Sequence, residues 1–455
     1  MSDTDTIFAK ASGAGRAGVA VFRLSGPAAL AIARALIGSL PPPRDAKLVK
    51  VTCPDTEQLI DEGLVILFKG PASFTGEDVV EFHLHGSSAV EAALFHALLT
   101  LKARPAEAGE FTRRALINGK LDLAQVEALA DLIDAETTAQ RKQALGQLDG
   151  RLSAVAEGWR ARLLAISAPL EADVDFPDEG GVPAAVAARA VPAIEQLENE
   201  LAAYRSDSAA ARAIRDGVRV AILGRPNAGK SSLLNQLAGS DMAIVSATPG
   251  TTRDVIEVKL DLGGVPVIVA DTAGLRDQTT DDIEREGMRR AMARAEEADI
   301  RIMVIDPLTE ENSGEPIEAG AMREGDFLVV NKLDLRGESE AAVGLKKYNN
   351  IKDVSRVSLS AKTGEGLPEF VGRLTEAVGQ RTSLAGDAAL TRARHVRAVD
   401  DAVMHLAQAK THVTATPELA AEDVRMAARA LGGITGAVDV EDILGEIFSS
   451  FCIGK

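Results

Sequence analysis

The stretch Gly224-Arg225-Pro226-Asn227-Ala228-Gly229-Lys230-Ser231 has residue types and spacing suited to binding phosphate groups. It follows an apolar run, Val218 to Leu223, and precedes a helix-forming run, Ser232 to Ala238. Glycines in such a loop let backbone N–H groups wrap around phosphate oxygens, while the lysine reaches the outer phosphates and the serine hydroxyl binds magnesium. The segment therefore predicts a nucleoside triphosphate site with Ser231 as a Mg²⁺ ligand.

Three later segments indicate which base is bound. Asp271-Thr272-Ala273-Gly274 and Asn331-Lys332-Leu333-Asp334 each end an apolar run, and Ser360-Ala361-Lys362 follows them. An aspartate in the first segment can reach the magnesium shell, and the Gly274 N–H can sense the γ-phosphate. The Asp334 carboxylate can accept hydrogen bonds from N1–H and the exocyclic amine of guanine, whereas adenine would leave it unpaired. The order of the segments predicts GTP, with Ser360-Ala361-Lys362 supplying a backbone donor to the guanine carbonyl.

The segments between these motifs bear on hydrolysis. Gly250-Thr251-Thr252-Arg253-Asp254 occupies the place of a first switch, and Thr252 is the natural second magnesium ligand. Leu275 follows Gly274 and has no polar group that could orient an attacking water. Glu284 is a candidate for that task, although a solvated acidic helix start explains one glutamate in this charged run equally simply.

Composition limits the classes of function. At 455 residues the chain is long enough for about three domains. Lys and Arg number 50 against 67 Asp and Glu, and the net charge of −17 excludes a chain-wide basic surface for nucleic acid. Cys53 and Cys452 are the two cysteines, which excludes a disulfide framework or a cysteine-rich zinc site. The acidic start and the lack of an apolar run of roughly 20 residues predict a cytoplasmic protein with no membrane association.

Hydrophobic patterning predicts a multidomain chain. Residues 1–120 have the mixed texture of an α+β domain, with a helix around Ala89 to Leu101. Residues 217–379 alternate helices with short apolar strands, which is typical of a Ras-like P-loop α/β domain. The predicted strands are Val218 to Leu223, Val255 to Leu262, Val265 to Ala270, Ile300 to Ile305 and Phe327 to Val330, and Gly263-Gly264 predicts a hairpin between the second and the third. Residues 121–216 and 380–455 favour one discontinuous α-helical domain, interrupted by the α/β insertion. Apolar residues at helical spacing from Leu145 to Leu170 predict one long amphipathic helix.

Several segments outside the nucleotide motifs carry a family resemblance. They are Phe22-Arg23-Leu24-Ser25-Gly26, Phe74-Thr75-Gly76-Glu77-Asp78, Gly109-Glu110-Phe111-Thr112, Asn118-Gly119-Lys120-Leu121-Asp122-Leu123-Ala124-Gln125 and the terminal Phe451-Cys452-Ile453-Gly454-Lys455. With the nucleotide motifs, they make the chain resemble the MnmE (TrmE) family of GTPases, which modify the wobble uridine of tRNA. The resemblance runs along the whole chain.

This resemblance implies that potassium replaces an arginine finger in hydrolysis. The ion would be held by Asn227 and by the loop Ser246-Ala247-Thr248-Pro249-Gly250-Thr251, with Asn227, Ser246, Thr248 and Thr251 as its ligands and the loop next to GTP. A cation against the phosphates would supply the positive charge that hydrolysis requires. In the family, the position of Glu284 orients the attacking water, so the resemblance assigns Glu284 a catalytic role.

The resemblance also implies that residues 1–120 form a homodimer and bind a tetrahydrofolate derivative, 5,10-methylene or 5-formyl. Arg23, Glu81 and Lys120 match the folate contacts, and Lys455 approaches from the helical domain. Cys452 would place a catalytic thiol near the folate carbon; the alternative is a small buried residue beside Phe448 and Phe451.

Two other groups of polar residues admit simpler interpretations. His83 and His85 favour a satisfied pair on a strand over a metal site, because no third ligand lies nearby in the sequence. Arg104, Arg113, Arg114 and Lys120 form the densest basic patch of the N-terminal domain, which either contacts tRNA or is a solvated face.

The leading expectation is a potassium-dependent GTP hydrolase that acts with an FAD-containing flavoprotein of the MnmG type, FAD being on the partner only. Together they would add an aminomethyl or carboxymethylaminomethyl group at C5 of the tRNA wobble uridine, with methylenetetrahydrofolate as carbon donor. The alternative is a regulatory RNA- or ribosome-linked GTP switch without one-carbon chemistry. That alternative leaves residues 1–120 unexplained.

Overall fold

The computed structural model describes residues 5–175, 187–244, 257–271, 292–307, 320, 322–335, 354–383, 386, 388–438, 444, 447–448, 451 and 454. The chain folds into two compact units. The first comprises Met1–Ala130, Leu148–Ala190 and Gln408–Lys455, and the second comprises Asp131–Gln147 and Val191–Ala407. Both units take residues from the predicted helical domain. The predicted domain boundaries stay predictions.

The first unit contains a six-stranded mixed sheet with the order β3-β4-β5-β2-β1-β6. Its strands are β1 (Ile7–Lys10), β2 (Ala17–Ser25), β3 (Lys47–Thr52), β4 (Leu59–Phe68), β5 (Val79–Gly86) and β6 (Arg104–Pro105). Strands β1 and β6 pair in parallel, and the other neighbours pair antiparallel. The α+β class predicted for residues 1–120 is confirmed.

Alternating side chains give this sheet two different faces. Phe22, Val65 and Phe82 lie opposite one another in register and are buried in one hydrophobic core with residues of the first two helices. Because successive side chains of a strand point to opposite faces, Arg23 and Glu81 lie on the other face. The sheet therefore buries one face against helices and presents a polar pair on the opposite face.

The helices follow the amphipathic patterns of the sequence, with one correction. They are α1 (Ala29–Ile37), α2 (Ser88–Thr100), α3 (Glu110–Ile117), α4 (Leu123–Asp134), α5 (Thr138–Leu148), α6 (Arg151–Asp175), α7 (Val191–Asp216), α8 (Lys230–Ala238), α9 (Leu367–Thr382), α10 (Ala393–His412) and α11 (Pro417–Thr435). The prediction of one helix from Leu145 to Leu170 is wrong, since Gly150 has a left-handed φ of 82° and separates α5 from α6. Within α6, Leu152, Trp159 and Leu163 are buried as the spacing predicts.

The second unit contains a six-stranded sheet with the order β12-β11-β10-β7-β9-β8. Its strands are β7 (Val218–Leu223), β8 (Glu257–Leu262), β9 (Val265–Asp271), β10 (Ile300–Ile305), β11 (Phe327–Val330) and β12 (Ser355–Ser358). Neighbours pair in parallel except β8 and β9, which are antiparallel. Gly263 and Gly264, with φ values of 65° and 87°, form the turn between them. The doubly wound α/β architecture and its hairpin are confirmed.

The order of this sheet places the ends of β7, β9, β10 and β11 along one edge. Parallel strands end at the same edge of a sheet, and binding sites of doubly wound domains form there.

No helix within the described part of the chain has the length and apolar character needed to cross a bilayer.

Candidate functional site

The phosphate-binding segment connects the end of β7 to the start of α8. Gly224 has a φ of 132°, and a side chain at this position would collide with the Val304 carbonyl oxygen. Gly229, with a φ of 101°, caps the N-terminus of α8. Because both positions require glycine, the loop can direct backbone N–H groups and the positive end of the helix dipole at one point, which suits a phosphate.

Two side chains at the start of α8 have defined partners. The buried Lys230 donates hydrogen bonds to the carbonyl oxygens of Gly224, at 2.7 Å, and Arg225, at 2.8 Å. The Ser231 hydroxyl donates to Oδ2 of Asp271 at 2.8 Å. Asp271 lies beside the loop because it pairs with Ile222 across β9 and β7. A hydroxyl and a buried carboxylate at this distance are a suitable oxygen pair for Mg²⁺.

Asn331 joins the three loops of the site. Its amide Nδ2 donates to the Ala228 carbonyl at 2.8 Å, and its Oδ1 accepts from the Ala361 N–H at 2.8 Å. A side chain at Gly229 would collide with the same amide group. The buried Asn331 therefore holds the phosphate loop against the two segments that the sequence assigns to the base.

Asp334 lies in a short 3₁₀ turn, Leu333–Leu335, that follows β11. The hydroxyl of Ser360, which is fully buried, donates to Asp334 Oδ1 at 2.7 Å. The hydrogen bond fixes the rotation of an otherwise exposed carboxylate, so Asp334 is held in one orientation. Lys362, in the same segment as Ser360, is exposed.

One charged residue at this edge, Asp306, is not part of any motif identified in the sequence. Asp306 directly follows β10, is 2 % exposed, and accepts from Lys332 Nζ at 2.6 Å. The signal was available, because an aspartate ends an apolar strand here as Asp271 ends another. Only the strand order places Asp306 next to the Asn331-Lys332 segment.

Several predicted residues lie outside the described part of the chain. They are Ser246, Ala247, Thr248, Pro249, Gly250, Thr251, Thr252, Thr272, Ala273, Gly274, Glu284, Cys452 and Lys455. Their assignments stay predictions. Asn227 is described; it is exposed and has a left-handed φ of 64°.

The polar face of the N-terminal sheet carries the predicted folate residues Arg23 and Glu81. Nε and Nη2 of Arg23 both donate to Glu81 Oε1, at 3.0 and 2.8 Å. The guanidinium carbon lies 5.3 Å from the centre of the Phe74 ring and 5.7 Å from that of Phe111. Ion pairing and the two rings hold Arg23 in one orientation, while about a fifth of its side chain, 20 %, remains exposed.

The loop that contains Phe74 also reaches Lys120. Asn118 donates to the Thr75 carbonyl at 2.7 Å, and a side-chain carbon at Gly76 would lie 3.4 Å from Lys120 Cγ. The structure thus brings two of the predicted folate residues, Arg23 and Lys120, to the same loop from sequence positions far apart.

His83 and His85 each have a carboxylate partner. His83 Nε2 lies 3.4 Å from Glu81 Oε2, and His85 Nδ1 lies 2.9 Å from Asp61 Oδ1. Hydrogen bonds from His85 and from backbone N–H groups lower the pKa of Asp61, although burial acts in the opposite direction. Among the described residues no group of three His, Cys, Asp or Glu side chains could hold a metal ion.

The predicted basic patch is largely neutralised by acidic residues. Arg104 donates to both carboxylate oxygens of Glu110, at 2.9 and 2.7 Å, and to Asp5 at 3.1 Å. Arg114 is buried and donates to Glu110 at 3.0 Å and to Glu77 at 2.9 Å. Arg114 therefore belongs to an internal network and has no surface for tRNA.

Glu110, which is 1 % exposed, makes this network sensitive to acid. Burial alone would raise its pKa, but hydrogen bonds from Arg104, the Glu107 N–H and Arg114 lower it to about 2. Because the folded pKa lies below the ordinary value of 4.5, the stabilisation is present above pH 4.5 and disappears as the pH falls towards 2. We expect Glu110→Gln to remove about 3 kcal/mol of pH dependence from the free energy of unfolding in this window.

Urea denaturation of the wild-type and Glu110→Gln chains between pH 2 and pH 5 measures this difference. Glu107→Gln is the matched control, because Glu107 is a neighbouring, half-exposed glutamate (51 %). Equal pH dependence in the wild type and Glu110→Gln would contradict the assignment.

The C-terminal segment packs against the N-terminal residues of its own unit. Phe448 and Phe451 are buried in a cluster with Val126. Side-chain carbons at Gly109 would lie 2.8 Å from Phe448, and at Gly454, with a φ of 104°, would collide with the Lys10 carbonyl. The described residues on either side of Cys452 are thus held next to β1 and the start of α3.

Comparisons with known proteins agree with these features. A family described as "GTP-binding protein TrmE N-terminus" matches residues 6–120, and one described as "MnmE helical domain" matches residues 123–452. The chain is 51% identical over 455 residues to the tRNA modification GTPase MnmE of Parvibaculum lavamentivorans, covering 99% of this chain and 100% of that protein. It is 51% identical over 452 residues to the protein of the same name from Caulobacter vibrioides, again covering 99% and 100%.

These matches span the N-terminal sheet, the helices and the nucleotide site together. The chain therefore belongs to the MnmE (TrmE) family of tRNA modification GTPases, and it is a GTP hydrolase that acts in tRNA modification.

Proposed function

We propose that this GTPase depends on potassium and works with an FAD-containing, MnmG-type flavoprotein on tRNA. The pair adds an aminomethyl or carboxymethylaminomethyl group at C5 of the wobble uridine, and a methylene- or formyltetrahydrofolate bound to this chain is the source of the carbon. The observation that carries the proposal is the oriented Arg23–Glu81 pair, which lies on the face of the N-terminal sheet opposite the core of the first two helices. A GTP switch without one-carbon chemistry, the alternative, would not need it.

The residues of this pair fit a folate. A guanidinium matches the carboxylates and carbonyls of the ligand, and Glu81 can accept hydrogen bonds from the donor edge of a pterin. Lys120 adds a second cation at the same loop, and Lys455 is proposed as a third. When bound, the folate supplies the one-carbon unit. The chain's own residues bind and orient it, and the Cys452 thiol is proposed to assist that step.

Calorimetric titration with 5-formyltetrahydrofolate tests the folate proposal. We expect saturable binding by the wild type and an affinity loss of about tenfold or more in Arg23→Ala, because a charged hydrogen-bonding partner is removed. Arg34→Ala is the control, since Arg34 is an exposed arginine on α1, on the opposite side of the sheet. No binding by folded wild-type protein would favour the GTP switch without one-carbon chemistry.

The nucleotide site supports a second part of the proposal. Ser231 and Asp271, whose oxygens lie 2.8 Å apart, are proposed to hold Mg²⁺, with Thr252 as a further proposed ligand. Asn227 and the Ser246–Thr251 loop are proposed to hold K⁺ near the phosphates. A monovalent cation supplies positive charge where charge develops during hydrolysis, which an apolar residue such as Leu275 cannot do.

Steady-state GTP turnover in potassium and sodium chloride at equal ionic strength tests the role of K⁺. We expect turnover to be about tenfold or more faster in potassium, because the loss of one charge-stabilising group costs at least this factor. Asn227→Ala should reduce the difference between the salts, while GDP affinity is compared in both salts as the control. Equal rates in the two salts would refute the potassium site.

Exposed apolar side chains of the N-terminal sheet also support a homodimer. Val19, Leu48 and Leu64 are 58 %, 63 % and 42 % exposed, and Leu48 and Leu64 lie opposite one another in register across β3 and β4. Exposed apolar side chains of this kind favour an interface with another protein surface. We further propose that the flavoprotein supplies much of the tRNA-binding surface, since this chain has a net charge of −17, and that the assembly works in the cytoplasm.

A further inference from the structure

The carboxylate of Asp306 lies in an unusually buried position at the base-binding edge of the GTPase sheet. All six residues of the preceding strand β10 are buried, and Asp306 itself is 2 % exposed. A carboxylate taken out of water destabilises the fold unless a counter-charge and hydrogen bonds replace the lost hydration. The interaction that compensates for this burial therefore has to be maintained in the folded protein.

Lys332 provides that counter-charge. Its Nζ donates to Asp306 Oδ2 at 2.6 Å, and 31 % of the lysine side chain is exposed. Lys332 has a left-handed φ of 68°, a conformation that is unfavourable for a lysine. The Asn331 N–H donates to the Ile305 carbonyl at 2.9 Å, which anchors the backbone immediately before this strained residue. Backbone and side chain together direct Lys332 towards Asp306.

Two other polar side chains of the same segment, Asn331 and Asp334, are already immobilised. Asn331 is held by Ala228 and Ala361, and Asp334 is held by Ser360. Lysine has a long, flexible stem that loses much conformational entropy when it is ordered. Without Asp306, Lys332 would be the mobile side chain between two fixed ones at the site that receives the guanine base.

We propose that Asp306 is a positioning residue of the GTP site, which acts through Lys332. The ion pair orders the lysine side chain before nucleotide binds, so the loss of its conformational entropy no longer opposes nucleotide binding. Asp306 touches neither the nucleotide nor the reacting atoms in this proposal. It sets nucleotide affinity and leaves the chemical step unchanged.

This role predicts that removing the Asp306 carboxylate weakens nucleotide binding, whereas simple electrostatics predicts that it strengthens binding. Removing a negative charge near a polyanionic ligand should strengthen binding. Removing the group that orders Lys332 should weaken it. We expect Asp306→Asn to raise the Kd for fluorescent methylanthraniloyl-GDP about tenfold, and the KM for GTP by a similar factor, with kcat within about twofold of the wild type.

A double-mutant cycle with Lys332→Met tests whether Asp306 acts through the lysine. Methionine keeps an apolar stem and removes the ammonium group. We expect Asp306→Asn to have no further effect on Kd in the Lys332→Met background. Glu297→Gln, at an exposed position of the same unit, measures the effect of removing one negative charge without removing an ion pair partner, and should not weaken binding.

Three results would overturn the proposal: an unchanged or lower Kd in Asp306→Asn, a kcat loss as large as the KM increase, or an equal loss of affinity in both backgrounds. Lys332→Met could fail to fold, because it leaves the buried Asp306 carboxylate without its counter-charge. In that case the comparison of Asp306→Asn with Glu297→Gln decides. Weaker nucleotide binding in Asp306→Asn but not in Glu297→Gln supports the proposal, and equal binding in these two chains overturns it.

Discussion

Asp334→Asn is expected to lower the affinity of this protein for GTP by about 10²-fold and to move its preference to xanthosine triphosphate. The Ser360 hydroxyl fixes Asp334 Oδ1 at 2.7 Å, so the carboxylate is held in one rotation. A fixed carboxylate accepts from both guanine donors, whereas an asparagine amide places an N–H₂ donor opposite one of them, and each mismatch costs about 1–3 kcal/mol. Xanthine has a carbonyl in place of the exocyclic amine and so matches the amide.

Competition binding against labelled GDP, with GTP, xanthosine triphosphate and ATP as competitors, measures the change in preference. Asp334→Glu is the matched control, since it keeps the charge and should keep the preference for guanine over xanthine at lower affinity. Ser360→Ala should weaken GTP binding without changing the preferred base. An Asp334→Asn chain that still prefers GTP over xanthosine triphosphate would contradict the assignment of Asp334 to base recognition.

Glu284→Ala is expected to bind GTP normally and to hydrolyse it about 10²–10⁴ times more slowly. Leu275 follows the Asp271–Gly274 motif and cannot orient a water molecule, so another polar group has to do so. A carboxylate in the acidic run Asp281-Asp282-Ile283-Glu284, which occupies the place of a second switch, is suited to hold the attacking water. This prediction rests on the sequence and the family, since Glu284 lies outside the described residues.

Single-turnover hydrolysis of GTP, with nucleotide affinity measured in parallel, separates the chemical step from binding. Asp282→Ala is a close control, because Asp282 belongs to the same acidic run two positions earlier. We expect it to retain nearly all hydrolysis. Comparable turnover in Glu284→Ala and the wild type would remove Glu284 from the site, while a loss in both variants would indicate a general effect of the acidic run.

Local rules accounted for most elements of the nucleotide domain. The strands predicted at Val218–Leu223, Ile300–Ile305 and Phe327–Val330 have the same bounds in the structure. These strands are short, apolar and bounded by polar or glycine residues, so pattern and length specify them. The helix from Leu145 to Leu170 was mispredicted because apolar spacing continues across Gly150, where a positive φ interrupts the backbone.

Local rules could not predict which residues far apart in the sequence form hydrogen bonds with each other. Asn331 bonds to Ala228 across 103 positions, and Arg104 bonds to Asp5 across 99. Arg104 and Arg114 look like surface cations in the sequence, yet Glu110 pairs with both. Charge pairing depends on which strands and helices become neighbours, and no local pattern contains that information.

The sequence alone was enough to predict GTP as the ligand of this protein, because a phosphate loop and a carboxylate suited to guanine require particular residue types at fixed short spacings. It also determined the family. The tertiary structure decided the partner and the burial of each charge. It paired Arg23 with Glu81, buried Arg114, and placed Asp306 against Lys332. The reason is physical, since burial and the order of strands in a sheet decide the energy of a charge, and both arise only when distant segments pack together.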